Sequence, residues 1–221
     1  MPYDLSKPLV IGISSRALFN LEQENKIFEE QGVEAYEAYQ VTHENEILQK
    51  GAAFQLIKAF LKLNNTGLGR LVEVIIMSRN NANTCLRIFN SIQYYGLDIT
   101  RATLTSGAEI APYLKAFKTD LFLSANSVDV QSAINDGIAA GLILTGAAHA
   151  DAKQKIDQIR IAFDGDAVLF SAESEKIFQK NGIQAFEAHI FFDDQDIHTE
   201  PASTVVPAAT VPYRDGDNPK E

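Results

Sequence analysis

The sequence predicts an α/β protein on a parallel, Rossmann-like sheet, organised as two related repeats of which the second is truncated. Three observations predict it. Short apolar runs with strand character alternate with amphipathic stretches of helical spacing, the pattern of β-α-β units. The chain also resembles itself at an offset of 150 positions: residues 11–39 and 161–189 align without a gap and share nine of 29 residues, against roughly two by chance. A later strand recurs as well, LFLSA at 121–125 against IFFDD at 190–194. Ser14 precedes Ser124 by 110 positions, whereas Asp164 precedes Asp193 by 29, so roughly 80 residues of the first unit have no counterpart in the second. The expected division is a first repeat at 1–150, a truncated repeat at 151–200 and an extended C-terminal tail at 201–221.

Each element follows from local pattern. The apolar run at 9–13 reads as a buried strand, and 23–40 as one amphipathic helix. Apolar spacing makes 54–63 a helix, and LVEVIIM at 71–77 a second buried strand. A polar turn at 78–83 leads into a helix that runs to Tyr95 and is stopped by Gly96. A short strand at 102–105, a helix at 112–117, a strand at 121–123, a helix at 128–137 and a strand at 142–144 complete the unit. The second unit reads as strand 161–163, helix 173–188 and strand 190–192. From Thr199 onward the chain holds four of the seven prolines, which predicts extended segments at 203–207 and 210–213 and a frayed end at 214–221.

Composition narrows the function. The net charge is -10, from 19 basic and 29 acidic residues, a field that repels nucleic acid and anionic membrane. The densest basic stretch, at 115–118, holds only Lys115 and Lys118. The single cysteine, Cys85, forms no disulfide within the chain and reads as a buried structural thiol in a reducing compartment. Residues 1–8 carry no hydrophobic signal region, and no apolar run is long enough to span a bilayer. The expectation is a soluble, cytoplasmic protein.

The strongest chemical signal is Phe163-Asp164-Gly165-Asp166-Ala167-Val168, an apolar strand running straight into Asp-x-Asp. Ligands bind at the carboxyl ends of strands in parallel α/β sheets. There Asp164 can attack phosphorus as a carboxylate nucleophile while Asp166 protonates the leaving alkoxide. The competing reading is a solvated strand-to-helix turn, where Asp and Gly are common. Asp215-Gly216-Asp217 shows how weak the triplet is alone, because no apolar strand feeds it. A second acid-tipped strand, Phe192-Asp193-Asp194-Gln195, strengthens the case over an exposed acidic loop. Together Asp164, Asp166, Asp193 and Asp194 make a four-carboxylate set suited to Mg²⁺. His43 and Glu44 read as helix-end packing, and His149 and His198 as isolated surface residues.

Several separate runs resemble the cytosolic 5′-nucleotidase I family. They are SSRALF at 14–19, EEQGVEAYEAYQ at 29–40, HENE at 43–46, FDGDAVLF at 163–170 and HIFFDDQ at 189–195, with GIAAG and VPYRDG. The resemblance implies a haloacid-dehalogenase type of fold and Mg²⁺-dependent hydrolysis of AMP-like nucleoside 5′-monophosphates. It makes Asp164 the nucleophile, Asp166 the acid/base, and Asp193 and Asp194 metal ligands or their supports. That superfamily also uses a Ser or Thr after its second strand and a Lys before its fourth, and both fall in the stretch missing from the second unit. The first unit keeps Ser78 but carries Ser14 at the nucleophile position, Ile110 at the lysine position and Ser124-Ala125 at the acid pair. It therefore reads as a degenerate copy without phosphatase chemistry. A non-catalytic nucleotide- or Mg²⁺-binding protein is the alternative expectation. The sheet edge left by the missing strands favours homo-oligomers.

Overall fold

Eight strands and eight α-helices are described in the computed structural model, which covers residues 4–145, 158–163 and 187–217. The first half runs β1 (Leu9–Ile13), α1 (Ser15–Leu18), α2 (Glu22–Gln31), α3 (Val33–Thr42), α4 (Phe54–Lys62), β2 (Val72–Ser78) and α5 (Leu86–Tyr94). It continues through β3 (Arg101–Leu104), α6 (Ala111–Ala116), β4 (Leu121–Ser124), α7 (Ser127–Asn135) and β5 (Ala139–Ile143). The second half contributes β6 (Ile161–Phe163), β7 (Ile190–Asp193), α8 (Asp196–Ala202) and β8 (Ala208–Thr210). The helix expected at 173–188 falls largely outside the described residues.

All eight strands join one sheet in the order β3-β2-β1-β4-β5-β8-β7-β6. Strands β1 to β5 are mutually parallel. Strands β6, β7 and β8 are parallel to one another. The two groups meet antiparallel, with Leu142 opposite Thr210 and Ile143 opposite Ala209. Within each group the order corresponds, since β6-β7-β8 follows the path of β1-β4-β5. The carboxyl ends of β1–β5 therefore open on one edge of the sheet and those of β6–β8 on the other.

The strand sequences explain this placement. Every residue of β2 is buried, as expected of a parallel strand covered on both faces. Alternation in β1 and β2 sends Ile11, Ile13, Val74 and Ile76 into a core with Leu18, Phe19, Phe54 and Ile57. Val10, Ile75 and Met77 point the other way, onto Leu114, Phe122 and Val130. Glu73 is the buried charge in β2, and Arg70 and Arg101 both pair with it. Its charge is thus compensated by fixed donors rather than left to desolvation.

Two expectations are corrected. The single helix at 23–40 is two helices, because Gly32 has φ 85°, a left-handed conformation that ends one helix and starts the next. The segment at 203–207, expected to be extended, is instead mostly a turn that leaves α8 and leads into β8, whose Ala208 and Ala209 are fully buried between β5 and β7. The small residues of β8 leave room across the sheet, where a Cβ on Gly141 would already lie 3.0 Å from Phe192 and 3.4 Å from Ala209.

Candidate functional site

Two groups of residues gather at strand carboxyl ends. In the second half β6 and β7 are adjacent and parallel, with Phe163 opposite Phe192 and their rings stacked at 5.5 Å. Asp193 ends β7 and is 4% exposed. Its Oδ1 accepts the Gln195 N–H at 2.8 Å, and its Oδ2 lies 2.9 Å from His198 Nδ1 on α8. Asp194 follows, half-buried, with a buried Oδ1 that has no hydrogen-bond partner among the described residues. Asp164 and Asp166, expected one and three residues beyond β6, lie outside the described residues. Among the described residues no group of three or more His, Cys, Asp or Glu is placed to hold a metal.

His198 is exposed, as expected of a surface histidine, but it is not isolated, since α8 folds it back onto Asp193. Neither strand nor helix periodicity flags the pair, because a turn separates the two residues. The unpartnered Asp194 oxygen fits the expected role of a cation ligand, and oxygen donors suit a hard ion. Asp193, held by both oxygens, fits the supporting role.

The first half builds the same turn without acids. Ser124 Oγ accepts the Asn126 N–H at 3.1 Å, as Asp193 does for Gln195. Asn126 then caps α7 by accepting the Asp129 N–H at 3.0 Å. Ser14 Oγ receives N–H groups from Ala17 at 3.3 Å and Ala125 at 3.2 Å, tying the ends of β1 and β4 together. Ser78 Oγ accepts the Asn80 N–H at 3.2 Å and lies 3.5 Å from Ser15 Oγ.

Above these strand ends lies a cleft of about 490 Å³. The segments after β1, β2, β3 and β4 all line it, through Ser15 and Arg16 of α1, Arg79 to Asn81, Ser106 and Gly107, and Asn126. Phe28, Val33, Tyr36 and Glu37 from α2 and α3 form its outer wall. Arg79 pairs with the buried Asp129 through Nε at 3.0 Å and Nη2 at 2.5 Å. Burial raises the Tyr36 phenol above its usual range, so it stays neutral, and its oxygen accepts the Gln40 amide at 3.1 Å. Sequence reading did not single out this cleft. The signal for it was the strand order β3-β2-β1-β4-β5, which places a crevice where the chain reverses direction across the sheet.

The fold and these strand-end sites define a doubly wound α/β protein with ligand crevices at carboxyl ends. A family profile described as 5′-nucleotidase matches residues 1–189 and 183–218. Human cytosolic 5′-nucleotidase 1B is 42% identical over 188 residues, a match that takes in 80% of this chain and 30% of that relative. The chain thus corresponds to less than a third of that protein's length. No solved structure matches. The chain belongs to the 5′-nucleotidase family, as the motif resemblance implied.

Proposed function

We propose that the chain is a Mg²⁺-dependent cytoplasmic 5′-nucleotidase, hydrolysing AMP-like nucleoside 5′-monophosphates to nucleoside and phosphate. The observation that carries this reading is the adjacency of β6 and β7, which end on Phe163, just before Asp164, and on buried Asp193 with the unpartnered Asp194 oxygen beyond it. Asp164 attacks the phosphoryl group and forms an aspartyl-phosphate, while Asp166 protonates the leaving nucleoside oxygen. Asp164, Asp166 and Asp194 would hold Mg²⁺, with Asp193 as ligand or support, and the ion would supply charge neutralisation at the phosphoryl oxygens. The contact with His198 would hold the Asp193 carboxylate in place.

The haloacid-dehalogenase type of chemistry and the truncation of the second repeat belong to this proposal. The family profile aligns in two pieces that meet at residues 183–189, the place where the repeat comparison sets the missing segment. The second unit lacks the Ser/Thr and Lys that would stabilise the transferring group. Losing one such contact costs about a hundred- to a thousandfold in rate. That absence favours a second reading, a non-catalytic nucleotide- or Mg²⁺-binding protein.

Phosphate release from AMP, with Mg²⁺ or with chelator, separates the two. Expected is Mg²⁺-dependent release well below the typical turnover of about 10 s⁻¹, lost in Asp164→Asn because an amide cannot form the acyl-phosphate. Equal release by Asp164→Asn overturns the assignment of the nucleophile. Mg²⁺-dependent AMP binding without release establishes the second reading.

A further inference from the structure

The 150-residue offset pairs Ser14 with Asp164 and Arg16 with Asp166, and the strand match pairs Ser124 with Asp193 and Ala125 with Asp194. Four carboxylates of the second unit thus stand as two hydroxyls, a methyl and a guanidinium in the first. The shared turn, Ser124 to Asn126 and Asp193 to Gln195, ties the second of these matches to geometry. A site with four carboxylates needs a cation before it can accept a phosphate. At those four positions the first unit has no carboxylate to hold a cation or to repel an anion; of the four, Arg16 lines the cleft, whose two carboxylates, Glu24 and Glu37, stand on its helical wall, Glu24 paired with Arg87.

From this exchange and the cleft above it, we infer that the first unit is a second nucleoside-monophosphate site, which binds without metal and does not hydrolyse. The cleft sits outside the carboxyl ends of β1, β2 and β4, at the point where the sheet order reverses, the usual ligand crevice of doubly wound sheets. Its volume of about 490 Å³ is that of a small-molecule pocket. Arg16 commits Nε and Nη2 to Glu22, and Arg79 commits the same atoms to Asp129. Nη1 of each has no hydrogen-bond partner among the described residues. Both guanidiniums are thereby oriented by a carboxylate while keeping N–H groups for an anion.

The rest of the wall suits a nucleoside. Phe28 is 47% exposed and Val33 is 55% exposed, yet both line this cleft. Phe28 and Tyr36 meet edge-to-face at 6.0 Å, and the half-exposed Phe28 ring keeps surface open for a planar ring. Glu37 forms no ion pair among the described residues; it accepts the Asn81 amide at 2.5 Å and has capacity left to accept sugar hydroxyls. Binding in this cleft does not require hydrolysis at Asp164.

The test is calorimetric titration of the full chain with AMP in chelator, so that the metal-dependent site is silent. Saturable binding is expected. Ser14→Asp restores one carboxylate and should weaken AMP at least about tenfold, while still accepting the Ala17 and Ala125 N–H groups that Ser14 accepts. Phe28→Ala, on an exposed ring, should weaken AMP by a similar factor and covers the case in which Ser14→Asp does not fold. Asp164→Asn should bind AMP in chelator as the parent does. Adenosine and inorganic phosphate should each bind more weakly than AMP. No AMP binding in chelator overturns the inference, as does binding that is lost in Asp164→Asn or untouched by Phe28→Ala. Adenosine binding as tight as AMP overturns the phosphate assignment.

Discussion

His189 opens β7 at the edge of the sheet opposite the acid pair, and it is 1% exposed. Its Nδ1 accepts the Arg160 N–H at 3.0 Å, so the proton of the neutral ring sits on Nε2, which is buried without a partner among the described residues. Burial, with the nearby Arg160 charge second, holds its pKa below the usual histidine value. The unfolded chain therefore binds the proton more readily than the folded chain. Stability from this group is complete above about pH 6.5 and is lost as pH falls from there toward the depressed folded value. His189→Asn keeps an acceptor for Arg160 and removes the titration. Urea midpoints at pH 7.5 and 5.5 should fall more for the parent than for this variant; equal falls would assign the acid sensitivity to carboxylates elsewhere. Single residues were unevenly legible in sequence. Cys85 reads from sequence as a buried thiol, and it is buried, with its pKa raised to about 11 by desolvation. The contact of His198 with Asp193 was not legible, because it depends on the angle at which α8 leaves the strand.

At the scale of elements, periodicity located strands better than it located breaks. The run at 71–77 is β2 because an apolar run of that length fits a strand covered on both faces. Helix α8 was missed because its short sequence, DIHTEPA, is polar and contains Pro201. Strand β8 is short and two of its three residues are alanines, which strands disfavour, so only Thr210 falls within the extended segment expected at 210–213. Close approaches of backbone leave no periodic trace either. The chain at Gly51 packs so tightly on the turn after α1 that a Cβ would lie 2.8 Å from backbone atoms of Ala17, Leu18 and Phe19. Backbone cannot give way as a side chain does, so Gly51→Ala should destabilise by about 1–3 kcal/mol. Equilibrium urea unfolding measures it. A change within about 0.5 kcal/mol would mean the two loops are not held together in solution.

For the whole molecule, the sheet order decides what the two halves can share. Because β8 runs antiparallel to β5, the cleft over β1, β2 and β4 and the acid pair on β7 open on opposite edges of one sheet. Arg79, just beyond the carboxyl end of β2, therefore lies at the sheet edge away from Asp193 and Asp194 of the same chain. What the halves do share is the seam. Strand β8 is flanked by β5 on one side and β7 on the other, and its continuation is held by the Val211 N–H bond to the Asp193 carbonyl at 2.9 Å. Strand β6 reaches the first half only through β7 and β8 in the hydrogen-bonded order. The strand farthest along the chain is thus the link between two units that sequence presents as consecutive. Proline at position 209 has no N–H to give and does not fit a strand paired on both edges. Ala209→Pro should therefore cost about 3 kcal/mol or more, and the cost should fall unevenly. Hydrogen exchange should speed at Phe191 and Phe192 in β7, while Ile75 in β2 keeps its protection, because it packs with Leu114, Phe122 and Val130 in a core that takes in no residue of β6, β7 or β8. Equal loss of protection across β2 and β7 would show that the sheet opens as one unit. Parental protection at Phe191 and Phe192 would show that β8 is not the seam.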